Sequence, residues 1–357
     1  MLWGHGADGE SMAKEYGKDL EKLLDFSANI NPYVPEGLEE AALRGLLKSR
    51  TYPDCTYHQL RESLASYCQV DKEQIIPGNG ATELIYLLMK SLKGTLGILN
   101  PTFSEYERSA RLSGLQVKDL YWDQERTFSL NRETLQKELA TFDHLFICNP
   151  NNPTGQVENI KELLELLQNK GKTLIVDETF MEFVEEEEKY SLVSEVAHSP
   201  NLVIIKAATK FFGLPGLRLG YALTSNKALL EKMYTYKEPW SINSFAEALA
   251  LVIFKQRDYC QRSKAYYVEE RERVIKALEK IRGLKVYPTA TNFILLELEE
   301  GTGGQLKERL LKKYNLLIRD AGNFKGLGPQ FIRVAIKRPE ENTRLIKVLK
   351  EEVTKNE

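Results

Sequence analysis

A chain of 357 residues that is 42% hydrophobic has material for more than one buried core, since single domains hold about 100–200 residues. Lysine plus arginine number 49 and aspartate plus glutamate 51, a formal charge of −2, so no overall basic field draws in nucleic acid or anionic lipid. Any anionic ligand must be gripped by local arginines. No apolar run reaches the roughly 20 residues of a membrane span. The opening MLWGHGADGESMAKEYG has acids and glycines but no hydrophobic stretch, which predicts no signal peptide. Four cysteines (Cys55, Cys68, Cys148, Cys260) and four histidines (His5, His58, His144, His198) are dispersed without a C-x-x-C pair. Neither a disulfide framework nor a zinc site is expected, and the expectation is a reduced, cytoplasmic protein with no nucleic-acid or membrane partner.

From about residue 75 to about 225, short β-rich runs alternate with amphipathic helical patterns, which predicts an α/β unit with a mostly parallel sheet flanked by helices. The first polar element is QIIPGNGATELIYLLMK. Gly78, Gly80, Ala81 and Thr82 precede a helix there, so free N–H groups and the helix dipole can hold a phosphate. Glu83 stands where a dinucleotide fingerprint needs its third glycine, and no Gly-Lys-Ser/Thr follows as in a Walker A loop. The strand-like runs LGILNP, VKDLYW and HLFICNP follow, the last leading into the turn NPNNPTG, Asn149 to Gly155. TLIVD then puts Asp177 at a strand end, where a carboxylate has two readings, a helix cap or a ligand.

NLVIIKAATKFFGLPGLRLGY places Lys210 past an apolar strand and Arg218 eight residues later. A lysine in such a place is either simply solvated or, near other cations, depressed in pKa and suited to Schiff-base chemistry. The acidic run Glu185–Glu188 reads most simply as a solvated loop. After about residue 240 one long helical stretch, from SFAEALALVIF to VIKALEKI, precedes the strand-rich runs LKVYPTATNFILLEL, NLLIRDAG and FIRVAIK. The resulting organisation is an arm over 1–35, a large domain over 36–240 and a smaller α+β domain over 241–357.

Taken in order, Gly-Ala-Thr before a helix, PTFSEY, NPNNPTG, strand-Asp and Thr-Lys with a later arginine resemble the class I/II aminotransferase family, fold type I pyridoxal-phosphate enzymes, over essentially the whole chain. The resemblance implies pyridoxal 5'-phosphate as cofactor, carried on Lys210, with Asp177 against the pyridine nitrogen and Asn152 donating to the ring's 3' oxygen. It implies Phe103 stacked on the ring. The phosphate would lie on Gly80, Ala81, Thr82 and Thr209, with Arg218 as the charged clamp. Tyr52 resembles a tyrosine that reaches into a partner's site, implying a homodimer. Two positions depart from many relatives: Phe180 in place of a tyrosine and Ala207 in place of a serine or threonine, each removing one cofactor contact.

Within the family, HGADGE, LDFSANINP and LLIRDAGNFKGLG look closer to the threonine-phosphate decarboxylases of cobalamin biosynthesis, next to the histidinol-phosphate aminotransferases. By that resemblance His5, Gly6, Asn29, Asn152, Arg319 and Arg333 would contact a small phosphorylated amino acid or amine. Two arginines and a histidine suit a ligand with both carboxylate and phosphate, although Arg333 also matches an anion-binding residue of aminotransferases. Decarboxylation and transamination differ in which bond at Cα stands perpendicular to the ring, and sequence does not resolve that rotation. An aminotransferase using 2-oxoglutarate is therefore the rival. A ligand-sensing regulator is the more distant one, and the chain lacks the basic N-terminal module it would need.

Overall fold

The computed structural model describes Gly6 and residues 9–354. Along them run β1 (Leu24–Asp25), β2 (Ile75–Asn79), β3 (Thr95–Asn100), β4 (Gln116–Tyr121), β5 (His144–Cys148), β6 (Thr173–Asp177), β7 (Leu202–Ala207) and β8 (Leu219–Leu223). After these come β9 (Leu284–Val286), β10 (Phe293–Leu298), β11 (Leu316–Leu317), β12 (Arg319–Asp320) and β13 (Phe331–Ala335). Seven of them form one sheet in the order β2-β8-β7-β6-β5-β3-β4. Strands β4, β3, β5, β6 and β7 are mutually parallel, and β8 is antiparallel to both β7 and β2.

Helices cover both faces of this sheet, which is why its central strands read as nearly unbroken apolar runs. Alternate residues go to opposite sides. Leu145, Ile147, Leu174, Val176, Leu202 and Ile204 join one core, while Phe146, Cys148, Ile175, Val203 and Ile205 join the other. The helix Gly80–Ser91 closes the second core with Leu84, Ile85, Leu87 and Leu88. The helix Lys161–Asn169 seals the first with Leu163, Leu164 and Leu167.

A four-stranded antiparallel sheet, β12-β13-β10-β9, follows in the chain, and β1 pairs in parallel with β11. The long helical stretch expected after residue 240 is two helices, Ser244–Ile253 and Arg257–Leu278. At the break the chain is tied to a distant segment. The Gln256 side chain exchanges hydrogen bonds with the Glu36 backbone, accepting from Glu36 N at 3.0 Å and donating to its carbonyl at 2.5 Å.

The acidic run is exposed at Glu185, Glu186 and Glu188, as its simplest reading expects, but not at Glu187. Glu187 is partly buried and pairs with Lys264 at 2.9 Å and with Lys206 at 3.7 Å. Lys206 is itself buried on β7 and also faces Glu182 at 3.1 Å and Glu178 at 3.8 Å. One buried cation thus draws three carboxylates from the segment that follows β6.

Candidate active site

A cavity of about 450 Å³ opens beyond the carboxyl ends of β3, β5, β6 and β7, where parallel sheets place their ligands. Its wall includes Ala81, Thr82, Phe103, Asn152, Asp177, Thr209, Lys210 and Arg218 from the segments around the large sheet. Gly6, Asn29, Arg319 and Arg333 come from the N-terminal segment and the four-stranded sheet. Twelve residues singled out by sequence therefore meet in one cleft. Gly80 lies just behind Arg218, and His5 lies outside the described residues. Tyr52 is not part of this wall: it is 81% exposed and its ring packs on Trp240 with centroids 4.8 Å apart.

Asp177 ends β6 with both carboxylate oxygens engaged. Oδ2 accepts from the Tyr106 hydroxyl at 2.7 Å and Oδ1 from the Thr179 backbone N–H at 2.9 Å. Burial raises its pKa, and these donors oppose the rise. The Tyr106 ring is sandwiched by a 4.0 Å stack on Phe146 and an edge contact from Phe103 at 5.6 Å.

Lys210 is the third residue of the short helix Ala208–Phe211, which follows β7. Burial depresses its amine to about 8, with further lowering from the Arg333 and Arg218 charges. A lysine so placed is partly neutral near physiological pH, as a nucleophilic amine requires. Arg218 adopts φ 54° and lays its guanidinium against Gly80. A Cβ at Gly80 would lie 2.5 Å from Arg218 Nη2, and Gly80 itself has φ +77°. Only glycine lets the guanidinium close on the first turn of Gly80–Ser91, whose leading N–H groups have no partners within the helix.

Arg319 and Arg333 are directly opposite one another on β12 and β13. Arg333 is buried; its Nη1 donates to Asn152 Oδ1 and its Nη2 to the Ser27 carbonyl at 2.9 Å, while Nε has no hydrogen-bond partner among the described residues. Burial brings its pKa down to about 9, and Arg319 pushes the same way. Because Arg333 takes the Asn152 oxygen, Nδ2 is the end of that amide left to donate. Asn29 Oδ1 and Thr102 Oγ1 are also buried around the cavity without hydrogen-bond partners among the described residues. Unpaired buried polar atoms at one cleft are costly unless a ligand satisfies them.

The sequence departures are visible. Phe180 packs edge-on against Phe293 at 5.0 Å, so no hydroxyl reaches the cleft from that position, and Ala207 presents only a methyl. Residues that sequence reading passed over include Tyr106, Thr179, Glu107, Asn323 and Lys325. Tyr106 had a signal, since it falls one helical turn after Phe103 in PTFSEY.

The donor set fits pyridoxal phosphate: an anion cradle at a helix start, an aromatic wall, a carboxylate for a ring nitrogen and an amine with depressed pKa. A family model for class I and II aminotransferases matches residues 21–349. The chain belongs to that family. This makes it a pyridoxal-phosphate-dependent enzyme, of fold type I. Among its relatives, a provisionally named threonine-phosphate decarboxylase of Caldanaerobacter subterraneus is 41% identical over 90% of this chain and 88% of its own. The threonine-phosphate decarboxylase of Salmonella typhimurium is 33% identical over 98% and 96%. The solved histidinol-phosphate aminotransferase of Clostridium acetobutylicum has a TM-score of 0.88 and 36% identity, covering 93% of this chain and all of that one. Both branches of the family are thus represented among its near relatives. No helix among the described residues is long and apolar enough to cross a membrane.

Proposed function

We propose that this enzyme decarboxylates L-threonine O-3-phosphate to (R)-1-aminopropan-2-ol phosphate and carbon dioxide, a step of cobalamin biosynthesis. The observation that carries the reading is the Arg319–Arg333 pair, opposed on neighbouring strands at one wall of the cavity. Two guanidinium groups so close repel one another, and a ligand with two separate anionic groups relieves that repulsion. Threonine phosphate has a carboxylate and a phosphate. Histidinol phosphate has only the phosphate. The threonine-phosphate decarboxylases among the relatives lend support from the sequence side.

In this reading Arg333, the more buried, takes the substrate carboxylate, and Arg319, Asn29 and Gly6 complete the substrate's surroundings among the described residues. Arg218, Thr209, Gly80, Ala81 and Thr82 would hold the cofactor phosphate, and Phe103 would cover the ring. Asn152 Nδ2 would donate to the ring's 3' oxygen, and Asp177, which accepts from Tyr106 and from the Thr179 N–H, would pair with the ring nitrogen. When bound, pyridoxal phosphate supplies a sink for the electron pair released at the substrate's Cα. Lys210 Nζ delivers the proton that replaces the lost carboxyl group at Cα, and its depressed pKa suits it to giving and taking a proton near neutrality.

The same reading includes a small domain over 241–357, joined by an arm over 1–35, closing on a large domain over 36–240. It also includes a homodimer with cytoplasmic residence. Leu43, Leu46, Leu47, Tyr52 and Trp240 are each exposed and apolar, and a second copy covering them would carry Tyr52 towards the partner's cavity.

The test is to give the purified holoenzyme threonine phosphate alone, then histidinol phosphate with 2-oxoglutarate. Carbon dioxide released with little glutamate supports the decarboxylase. Glutamate without carbon dioxide replaces it with the aminotransferase.

A further inference from the structure

The loop between β12 and β13 carries two residues that touch Arg319. Asn323 Oδ1 accepts from Arg319 Nη2 at 2.7 Å, and the Phe324 ring centroid lies 5.2 Å from its guanidinium carbon. The next residue, Lys325, leaves the four-stranded sheet altogether. Its Nζ donates to Glu107 Oε2 at 2.5 Å and to both Asp119 oxygens at 2.9 and 3.0 Å, residues of the helix Glu105–Leu112 and of β4.

The receiving carboxylates are themselves held. Asn100, at the cavity wall, donates to Asp119 Oδ1 at 2.9 Å, and Arg111 donates to Glu107 Oε1 at 2.8 Å. A second contact seats the loop at the same place. Gly326 has φ +93°, and a Cβ there would stand 3.1 Å from the Tyr121 ring at the end of β4. A glycine is needed for the backbone to come so close.

From this arrangement we propose that Lys325 is a positioning residue that holds Arg319 at the substrate's anionic group by latching the β12–β13 loop onto Glu107 and Asp119. The inference rests on the reading above that Arg319 contacts an anionic group of the substrate. The bridge is partly exposed, with 36% of the Lys325 side chain accessible, so its strength is modest and its effect lies in geometry. Loss of the latch leaves Arg319 with the same charge in a wider range of poses. Substrate binding weakens while the chemistry at Cα, which Lys210 and Asp177 govern, is little changed.

The experiment compares K325M, K325R and the double variant E107Q/D119N as holoenzymes, using whichever phosphorylated substrate the wild type turns over. K325M and E107Q/D119N should each raise KM about five- to tenfold with kcat within about twofold of wild type, the size expected for losing a partly exposed charged contact. Combining all three substitutions should add little beyond K325M, and K325R should recover most of the loss. If E107Q/D119N instead lowers KM, Lys325 is itself a substrate ligand that the carboxylates restrain, and the latch is wrong. Equal falls in kcat and thermal midpoint without a KM change also overturn it. Limited trypsin digestion gives a reading independent of substrate: the Lys325–Gly326 bond should be cut faster in E107Q/D119N than in wild type. Unchanged cleavage rejects the latch, whereas failure of wild type to use either phosphorylated substrate rejects only the functional reading.

Discussion

Tyr106 donates its hydroxyl hydrogen to Asp177 Oδ2 at 2.7 Å across 71 positions of sequence. The pair joins the helix that follows β3 to the end of β6, and both members are buried. A carboxylate in such surroundings tends to take up a proton, and the phenol opposes that by favouring the charged form. Tyr106→Phe should therefore weaken cofactor binding by about tenfold, in line with about 1.5 kcal/mol for a hydrogen bond to a charged group. Equilibrium dialysis of pyridoxal phosphate against the variant checks this, with circular dichroism to verify that the fold is retained.

Lys210 leads to a pH prediction. Its folded value of about 8 lies below the ordinary 10.5 because of burial first and then Arg333 and Arg218. Uptake of pyridoxal phosphate by the apoenzyme requires the neutral amine, so its rate should rise with pH through about 8 and level off above it. Between about 8 and 10.5 the unfolded chain binds more protons at this residue than the folded one. Apoenzyme stability contributed by Lys210 should therefore increase with pH across that window. Replacing Arg333 by Met removes one cause of the depression and should move the uptake midpoint upward; stopped-flow absorbance reads it.

Gly80→Ala addresses the phosphate cradle. The new methyl would sit 2.5 Å from Arg218 Nη2 on a backbone of φ +77°. The left-handed conformation costs about 1–2 kcal/mol for a non-glycine residue, and the displaced guanidinium adds a loss of cofactor grip. Thermal melts should fall modestly, while the dissociation constant for pyridoxal phosphate should rise by more than tenfold. Gly216→Ala is the control, since a methyl there meets nothing within 4 Å.

Lys206 is the cation of a buried cluster and takes no part in the cavity wall. Burial raises Glu182 to about 7, and Lys206 is the main influence restraining it. Lys206→Met leaves Glu178 and Glu182 without that cation and should cost about 3–5 kcal/mol at pH 8, as for other broken buried pairs. The raised folded pKa means that protonation restores the lost stability, so the deficit should shrink as pH falls towards 5. Chemical denaturation at both pH values measures it.

Much of this site was legible as punctuation at strand ends. Asp177, Lys210 and Arg218 each follow an apolar run, and Gly80 precedes a helix, so local pattern located them. The illegible part depends on pairing between distant segments. Nothing near Arg319 announces that β12 and β13 would set it opposite Arg333, and Lys325 reaches Asp119 across 206 positions. Within the acidic run Glu185, Glu186 and Glu188 are exposed as expected, and only Glu187 departs, for the same reason. The run's charge pattern is that of a solvated loop, and only the fold brings buried Lys206 beneath Glu187. The helix break at Gln256 was equally hidden, because the side chain's partner there is the backbone of Glu36.

The central claim is that Lys210 carries the cofactor, in a chain where buried Lys206 lies only four positions earlier on the same strand-to-helix segment. Holoenzyme reduced with borohydride, digested and analysed by mass spectrometry tests this directly. The reduced cofactor's added mass is expected on Lys210, and on no peptide once Lys210 is replaced by Ala. The same mass found on Lys206 or another lysine of the wild type would contradict it.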